Sequence, residues 1–130
     1  MTLIAVVEDN PSNMKLMTSV LENAGYGILP AEDADVGIPL IREHLPDLVL
    51  MDMHLPGTDG MAATRLLKSD PRTAHIPVIA VTARAMDGDK EIFLAAGCDG
   101  YASKPIRYKE LLGQIATTLS ACGKAQGTEP

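Results

Sequence analysis

No stretch of this sequence is apolar for long enough to cross a bilayer as a helix, which excludes a helical membrane span. Cysteine is scarce. Cys98 and Cys122 stand alone, so they read as small buried apolar residues in a reducing compartment. His44, His54 and His75 are scattered and have no zinc-ligand spacing with either cysteine. The N-terminus, Met1-Thr2-Leu3-Ile4-Ala5-Val6-Val7-Glu8, has no basic region and runs into an acid. It reads as a short strand, not a signal peptide. Positive charge is in deficit: 11 Lys and Arg stand against 17 Asp and Glu, a net charge of -6. Direct nucleic-acid binding therefore loses most of its electrostatic drive. The expected setting is cytoplasmic, with neither nucleic acid nor membrane as a partner.

What is present suits one ordinary domain. The chain has 130 residues, 46% hydrophobic and 22% charged, enough to bury a core without disulfides or a structural metal. There is no second domain, internal repeat or low-complexity segment. Apolar runs alternate with helical patterns. Leu3 to Val7 stops at Glu8-Asp9, and Tyr26 to Ala31 is a weaker second run. Leu48 to Met51 stops at Asp52, Val78 to Val81 stops at Thr82, and Gly100 to Ser103 stops at Lys104. Runs apolar at every position suit strands covered on both faces of a parallel sheet.

The intervening segments read as helices. Asn10 and Pro11 are a cap and a first helical residue, followed by a stripe of Leu16, Met17, Val20, Leu21 and Ala24 that Gly25 closes. Asp59 to Ser69 and Asp87 to Ala96 form two more, and Tyr108 to Leu119 carries Leu111, Leu112, Ile115 and Leu119 on one face. Between Asp33 and His44, Gly37 and Pro39 predict a late start or a kink. The fold expected is α/β, a doubly wound five-stranded parallel sheet of order 2-1-3-4-5 with five helices. The domain is expected over 1–122. The tail 123–130, with Ala125 its one apolar residue, is expected to be disordered. Met1 standing directly before the first strand favours a complete single-domain protein over a piece of a longer one.

The polar residues end the strands. In an open sheet of this order the chain reverses between strands 1 and 3, and a crevice opens there at the carboxyl edge. Glu8, Asp9 and Asp52 would face one another across it, with Thr82 and Lys104 closing the far side. Three carboxylates so close repel one another and call for a cation. Hard oxygen ligands favour magnesium, which tolerates several waters and shares phosphate oxygens. A carboxylate, a divalent ion, a lysine and a hydroxyl around one crevice can hold a phosphoryl group, with the carboxylate as nucleophile. Each residue alone has a plain alternative: an acid at a helix N-terminus, a turn cap, a strand threonine, a surface lysine. Jointly those alternatives need five coincidences at four strand ends.

These residues resemble the receiver domains of two-component response regulators, the chemotaxis regulator type (CheY-like) being the simplest. The resemblance runs from Leu3 to about Leu119. Val7-Glu8-Asp9-Asn10, Asp47-Leu48-Val49-Leu50-Met51-Asp52, Leu55-Pro56-Gly57-Thr58-Asp59-Gly60, Ile76 to Ala83, Ala96 to Tyr101 and Ser103-Lys104-Pro105 carry it. The stretch Glu8 to Asn13 is similar to the subgroup found in hybrid histidine kinases and in single-domain regulators of the DivK type. The resemblance implies a phosphoacceptor switch, not an enzyme proper, that promotes its own phosphorylation and slow dephosphorylation. It implies phosphorylation of Asp52 by a histidine kinase or a histidine phosphotransfer protein. It implies magnesium on Glu8, Asp9, Asp52 and the backbone carbonyl of His54. Lys104 and Thr82 would bind phosphoryl oxygens, and Tyr101 would swing inward as Thr82 moves. The Lys104–Pro105 bond would be cis. The face of helix 4 (Asp87 to Ala96), strand 5 and helix 5 (Tyr108 to Leu119) would carry the output, with Ile92 exposed and Phe93 in the core. His54 and Arg84 occupy variable positions flanking the phosphoryl group, Thr58 stands where many members have methionine, and Pro39 is unusual in the second helix.

Three other readings compete. A phosphatase of the haloacid dehalogenase type needs a second Asp two residues after the nucleophile, where this chain has His54, and its nucleophile follows strand 1 instead of strand 3. A flavodoxin-like cofactor protein needs a phosphate-binding loop after strand 1, where this chain has an acidic pair. A receiver-like module that has lost phosphorylation would not need all five site residues.

Overall fold

The computed structural model describes residues 2–53, 60–82, 94–103 and 106–121. Five strands, β1 (Leu3–Val7), β2 (Gly27–Ala31), β3 (Leu48–Asp52), β4 (Val78–Thr82) and β5 (Gly100–Ser103), form one sheet. All neighbours run parallel, in the order β2-β1-β3-β4-β5. Helices α1 (Pro11–Asn23), α2 (Ala34–His44), α3 (Gly60–Ser69) and α4 (Tyr108–Ala121) complete the described elements.

Side chains alternate across a strand, so each apolar run feeds two cores. Ala5, Val7, Val49, Met51, Val78 and Ala80 pack with Ile38 and Ile41 of α2 and Ala63 and Leu67 of α3. Their neighbours Ile4, Val6, Leu48, Leu50, Ile79 and Val81 pack with Met17 and Leu21 of α1 and Leu111, Ile115 and Leu119 of α4. Every residue of β3 and β4 is buried, as central strands of a two-sided sheet must be. In α1 the core-facing stripe is turned from the expected one: Met17 and Leu21 are buried, while Leu16 is exposed.

The caps fix the helix starts. Asn10 Oδ1 accepts from the backbone of Ser12 at 2.9 Å and Asn13 at 3.1 Å, contributing about 1 kcal/mol to α1. Asp33 Oδ1 accepts from Val36 N at 2.9 Å, so of the late start or kink expected for the second helix the late start is not found, and the helix begins at Ala34. Pro39 forfeits one helical bond, but it stands on the exposed face. Gly37 serves contact: a Cβ there would sit 3.1 Å from Val7 Cγ2 and 3.3 Å from Ala31 Cβ. The glycine lets α2 lie close on the sheet. Leu45 closes α2 in the left-handed region, at φ 47, which costs a branched-chain residue about 1 kcal/mol.

Four helices lie among the described residues, against five expected. The fourth expected helix, Asp87 to Ala96, falls mainly outside them. Its end is described: Leu94 and Ala95 are helical, and Gly97 follows at φ 108.

The amino edge of the sheet is tied by carboxylates. Asp47 Oδ2 accepts from Leu3 N at 2.9 Å, and Asp47 N donates to Leu3 O at 2.8 Å, so one residue joins the starts of β1 and β3. Asp99 repeats the device between β4 and β5, accepting from Val78 N at 2.8 Å and donating to Val78 O at 2.7 Å. Lys68, at the end of α3, donates to Ala74 O, Ile76 O and Asp99 Oδ2. Asp70 accepts three hydrogen bonds from Arg72, one of them from its backbone, and one from Arg42 of α2 at 3.0 Å.

Candidate functional site

The register builds the site. Val7 pairs with Met51, and Asp52 with Val81, so the residues just past β1 stand beside the last residue of β3. Glu8 N donates to Ala31 O at 3.0 Å, which continues the sheet one residue beyond β1. Glu8 and Asp52 are each 2% exposed, and Thr82 is 0% exposed. Asp9 faces solvent. Carboxylate oxygens of Glu8, Asp9 and Asp52 all lie within 4.8 Å of one another. Glu8 Oε2 accepts from Asn10 N at 3.1 Å, so the residue that caps α1 also braces the cluster.

Two carboxylates at this separation repel by about 3 kcal/mol at an effective dielectric of about 20. Burial of Glu8 and Asp52 screens them little. The donor set is all oxygen, anionic and open to water on the Asp9 side. It fits a hard divalent cation that keeps part of its water shell.

Gly60 is part of this geometry, and the sequence reading did not single it out. A Cβ on Gly60 would run into the carbonyl oxygen of Asp52 and into Met53. The first turn of α3 therefore lies directly on the backbone that carries Asp52. Thr64 Oγ1 donates to Gly60 O at 2.8 Å and fixes that turn. The glycine stood in the Thr58-Asp59-Gly60 stretch, but nothing local showed what it approaches.

Tyr101, on β5, is half-buried and packs against the core on the α2–α3 side. Its carbonyl accepts from Gln114 Nε2 of α4 at 3.1 Å. Cys98 is buried, 4.0 Å from Thr64 Oγ1, and burial pushes its thiol pKa up. This matches the reading of that residue as a small apolar one. His54, Lys104, the Lys104–Pro105 bond, Thr58, Arg84, Ile92, Phe93 and Cys122 lie outside the described residues.

Residues 4–116 match the family model of the response regulator receiver domain. The chain belongs to that family. The receiver is 44% identical over 116 residues to the polar-differentiation response regulator DivK of Brucella anthropi, spanning 89% of this chain and 94% of that protein. It is similar in structure to the receiver domain of the sensor histidine kinase PA1611 of Pseudomonas aeruginosa. That likeness has 33% identity and a TM-score of 0.85 over 92% of this chain and 98% of that one. In the PA1611 receiver a magnesium ion is coordinated in the active site cleft. The chemotaxis protein CheY4 of Vibrio cholerae, 20% identical, shares the fold at a TM-score of 0.85 over 90% of this chain and 98% of that one.

This receiver is thus a domain of a two-component response regulator. Receivers are phosphoacceptor switches, not enzymes in the ordinary sense, and they interact with histidine kinases or phosphotransfer proteins. The phosphatase and flavodoxin readings fall with that assignment. No helix among the described residues is long and apolar enough to cross a membrane.

Proposed function

We propose that this receiver takes a phosphoryl group on Asp52 from a phosphohistidine of a kinase or phosphotransfer protein. The observation that carries the reading is the gathering of Asp52 with Glu8 and Asp9 at the carboxyl edge, within 4.8 Å. An Asp52 carboxylate oxygen attacks phosphorus, the nitrogen–phosphorus bond breaks, and the imidazole leaves with the electron pair. The product is an acyl phosphate. A magnesium ion held by Glu8, Asp9, Asp52 and the backbone carbonyl of His54 would neutralise the carboxylates and the phosphoryl oxygens. Glu8 and Asp9 are the residues that make the crevice attractive to that ion. Lys104 supplies a fixed positive charge to a phosphoryl oxygen, and the Thr82 hydroxyl donates to another. The domain promotes both its own phosphorylation and the slow return to the carboxylate, with His54 and Arg84 flanking the group.

The signal leaves through Thr82 and Tyr101. The Thr82 hydroxyl gains its charge-assisted bond by moving toward the phosphoryl group. Thr82 is fully buried, and a packed core does not tolerate the space it vacates. Tyr101 has the size to fill that space. The output surface is the segment Asp87 to Ala96 with β5 and α4. The domain spans 1–122, with the expected tail 123–130 outside the described residues, and works in the cytoplasm on a protein partner, without direct contact to nucleic acid or membrane.

Mass spectrometry tests the acceptor. Incubation with a small phosphodonor and magnesium should add one phosphoryl mass, and Asp52→Asn should abolish the addition. Equal modification of that variant at another carboxylate would remove Asp52 from the role.

A further inference from the structure

We propose that Gln114 is a positioning residue for Tyr101, and that its amide sets how readily the tyrosine changes environment. The proposal rests on the reading of Tyr101 as the switch aromatic. β5 is an edge strand with β4 on one side only. Gln114 reaches across from α4 and donates to the Tyr101 carbonyl at 3.1 Å. It ties the backbone of the tyrosine, one bond from its Cα, to a helix anchored in the opposite core by Leu111 and Ile115.

A second observation ties the same amide to the next residue. A Cβ on Gly100 would stand 2.7 Å from Gln114 Nε2. The amide therefore lies across Gly100, and the glycine keeps its path clear. Gly100 and Gln114 are matched, although they stand fourteen positions apart. A cavity of about 330 Å³ lies between β5 and α4, with Tyr101, Ala102, Leu111 and Gln114 in its lining. It leaves space beside the strand on the α4 side. The tether thus holds the Tyr101 backbone while its ring packs on the other side of the sheet.

Two variants remove the tether by different routes. Gln114→Leu deletes the donor at similar size. Gly100→Ala keeps Gln114 but displaces its amide, and the atom displaced is the far end of a long side chain, so the fold accommodates it. Gly113→Ala is the control, since a Cβ there meets nothing within 4 Å. Protein labelled with 3-fluorotyrosine gives a fluorine resonance for Tyr101, assigned by its loss in Tyr101→Phe. It is recorded before and after phosphorylation with a small phosphodonor and magnesium.

In both tether variants the unphosphorylated resonance should move part of the way to the phosphorylated position. The population ratio should change about 3- to 10-fold, the worth of one neutral hydrogen bond. Gly113→Ala should leave the resonance where it is. Wild-type positions in both tether variants, with and without phosphorylation, overturn the proposal. An equal movement in Gly113→Ala also overturns it, since helix stability would then govern Tyr101. A wild-type resonance that ignores phosphorylation is a different failure. It takes the switch role from Tyr101 itself, and it is read before any variant is made.

Discussion

Asp47, Asp99 and Asp70 stand at the amino edge of the sheet, and Glu8, Asp9 and Asp52 at the carboxyl edge. At the amino edge each carboxylate meets protein donors: Leu3 N for Asp47, Val78 N and Lys68 for Asp99, Arg72 and Arg42 for Asp70. At the carboxyl edge the three carboxylates meet one another within 4.8 Å. The first arrangement stabilises the fold with charge-assisted bonds. The second gathers like charges, an arrangement that would favour a bound cation. The first set braces the sheet, and the second forms an acidic cluster fit for a hard cation, although Glu8 also accepts from Asn10 N. Substitution should therefore act in opposite senses at the two edges.

The largest separation is expected at Asp9, which is exposed and can be replaced without opening the core. Asp9→Ala should cut phosphorylation by a small phosphodonor in magnesium at least about tenfold, the scale of losing one direct ligand or its outer-sphere support. Its stability without metal should hold or rise, because one of three like charges is gone. Magnesium should raise the melting temperature of the wild type by selective binding to the folded state, and that rise should shrink in the variant. Calorimetry with and without chelator reads both. A variant that loses stability in chelator while phosphorylating normally would put Asp9 in the structural class.

The reverse pattern is expected at the amino edge. Asp47→Ala leaves Leu3 N without its side-chain acceptor, and Asp99→Ala does the same to Val78 N while releasing Lys68. Each should lower stability by about 1–3 kcal/mol, the range for leaving a buried polar group unsatisfied. Urea denaturation measures that loss. Phosphorylation per folded molecule should stay within about twofold of wild type, because neither residue reaches the crevice, and 1.4 kcal/mol of barrier would be needed for a tenfold change. A large loss of phosphorylation at unchanged stability would break the comparison.

The two edges were unequally legible in the sequence. Glu8, Asp9, Asp52 and Thr82 end apolar runs, so their shared edge follows once the strands and their order are assigned. Both cores follow from the same runs. The bonds at the amino edge have no such signal. Asp47 and Asp99 were visible within motifs, yet what each one bonds depends on which strand lies alongside. Gly60 against Asp52 and Gln114 against Gly100 are likewise contacts between distant segments, decided by packing after the sheet is formed. Gly37 and Pro39 read as breakers that delay or kink α2, yet the helix starts at Ala34. The cap at Asp33 and the close approach of Gly37 to Val7 and Ala31 outweigh one missing helical bond.

The smallest effect belongs to Asp70. The side-chain and backbone hydrogen bonds from Arg72, then the charges of Arg72 and Arg42, hold its carboxyl at about 2, against an ordinary value of 3.8. A carboxyl with a depressed folded-state pKa adds stability that is present above the ordinary value and disappears as pH falls through the depressed one. Asp70→Asn should therefore be slightly less stable than wild type from neutral pH down to about 4, and the two should converge as pH approaches about 2. Arg72 is well exposed, so the gap should be modest and should narrow further with added salt. Magnesium and chelator should leave it unchanged, since Asp70 stands at the opposite edge from the Glu8, Asp9 and Asp52 cluster. A carboxyl-carbon NMR titration reads the same quantity directly, with a midpoint expected near 2. A midpoint near 3.8, or a gap that depends on magnesium, would remove Asp70 from the donor-answered class and erase the distinction between the edges at that residue.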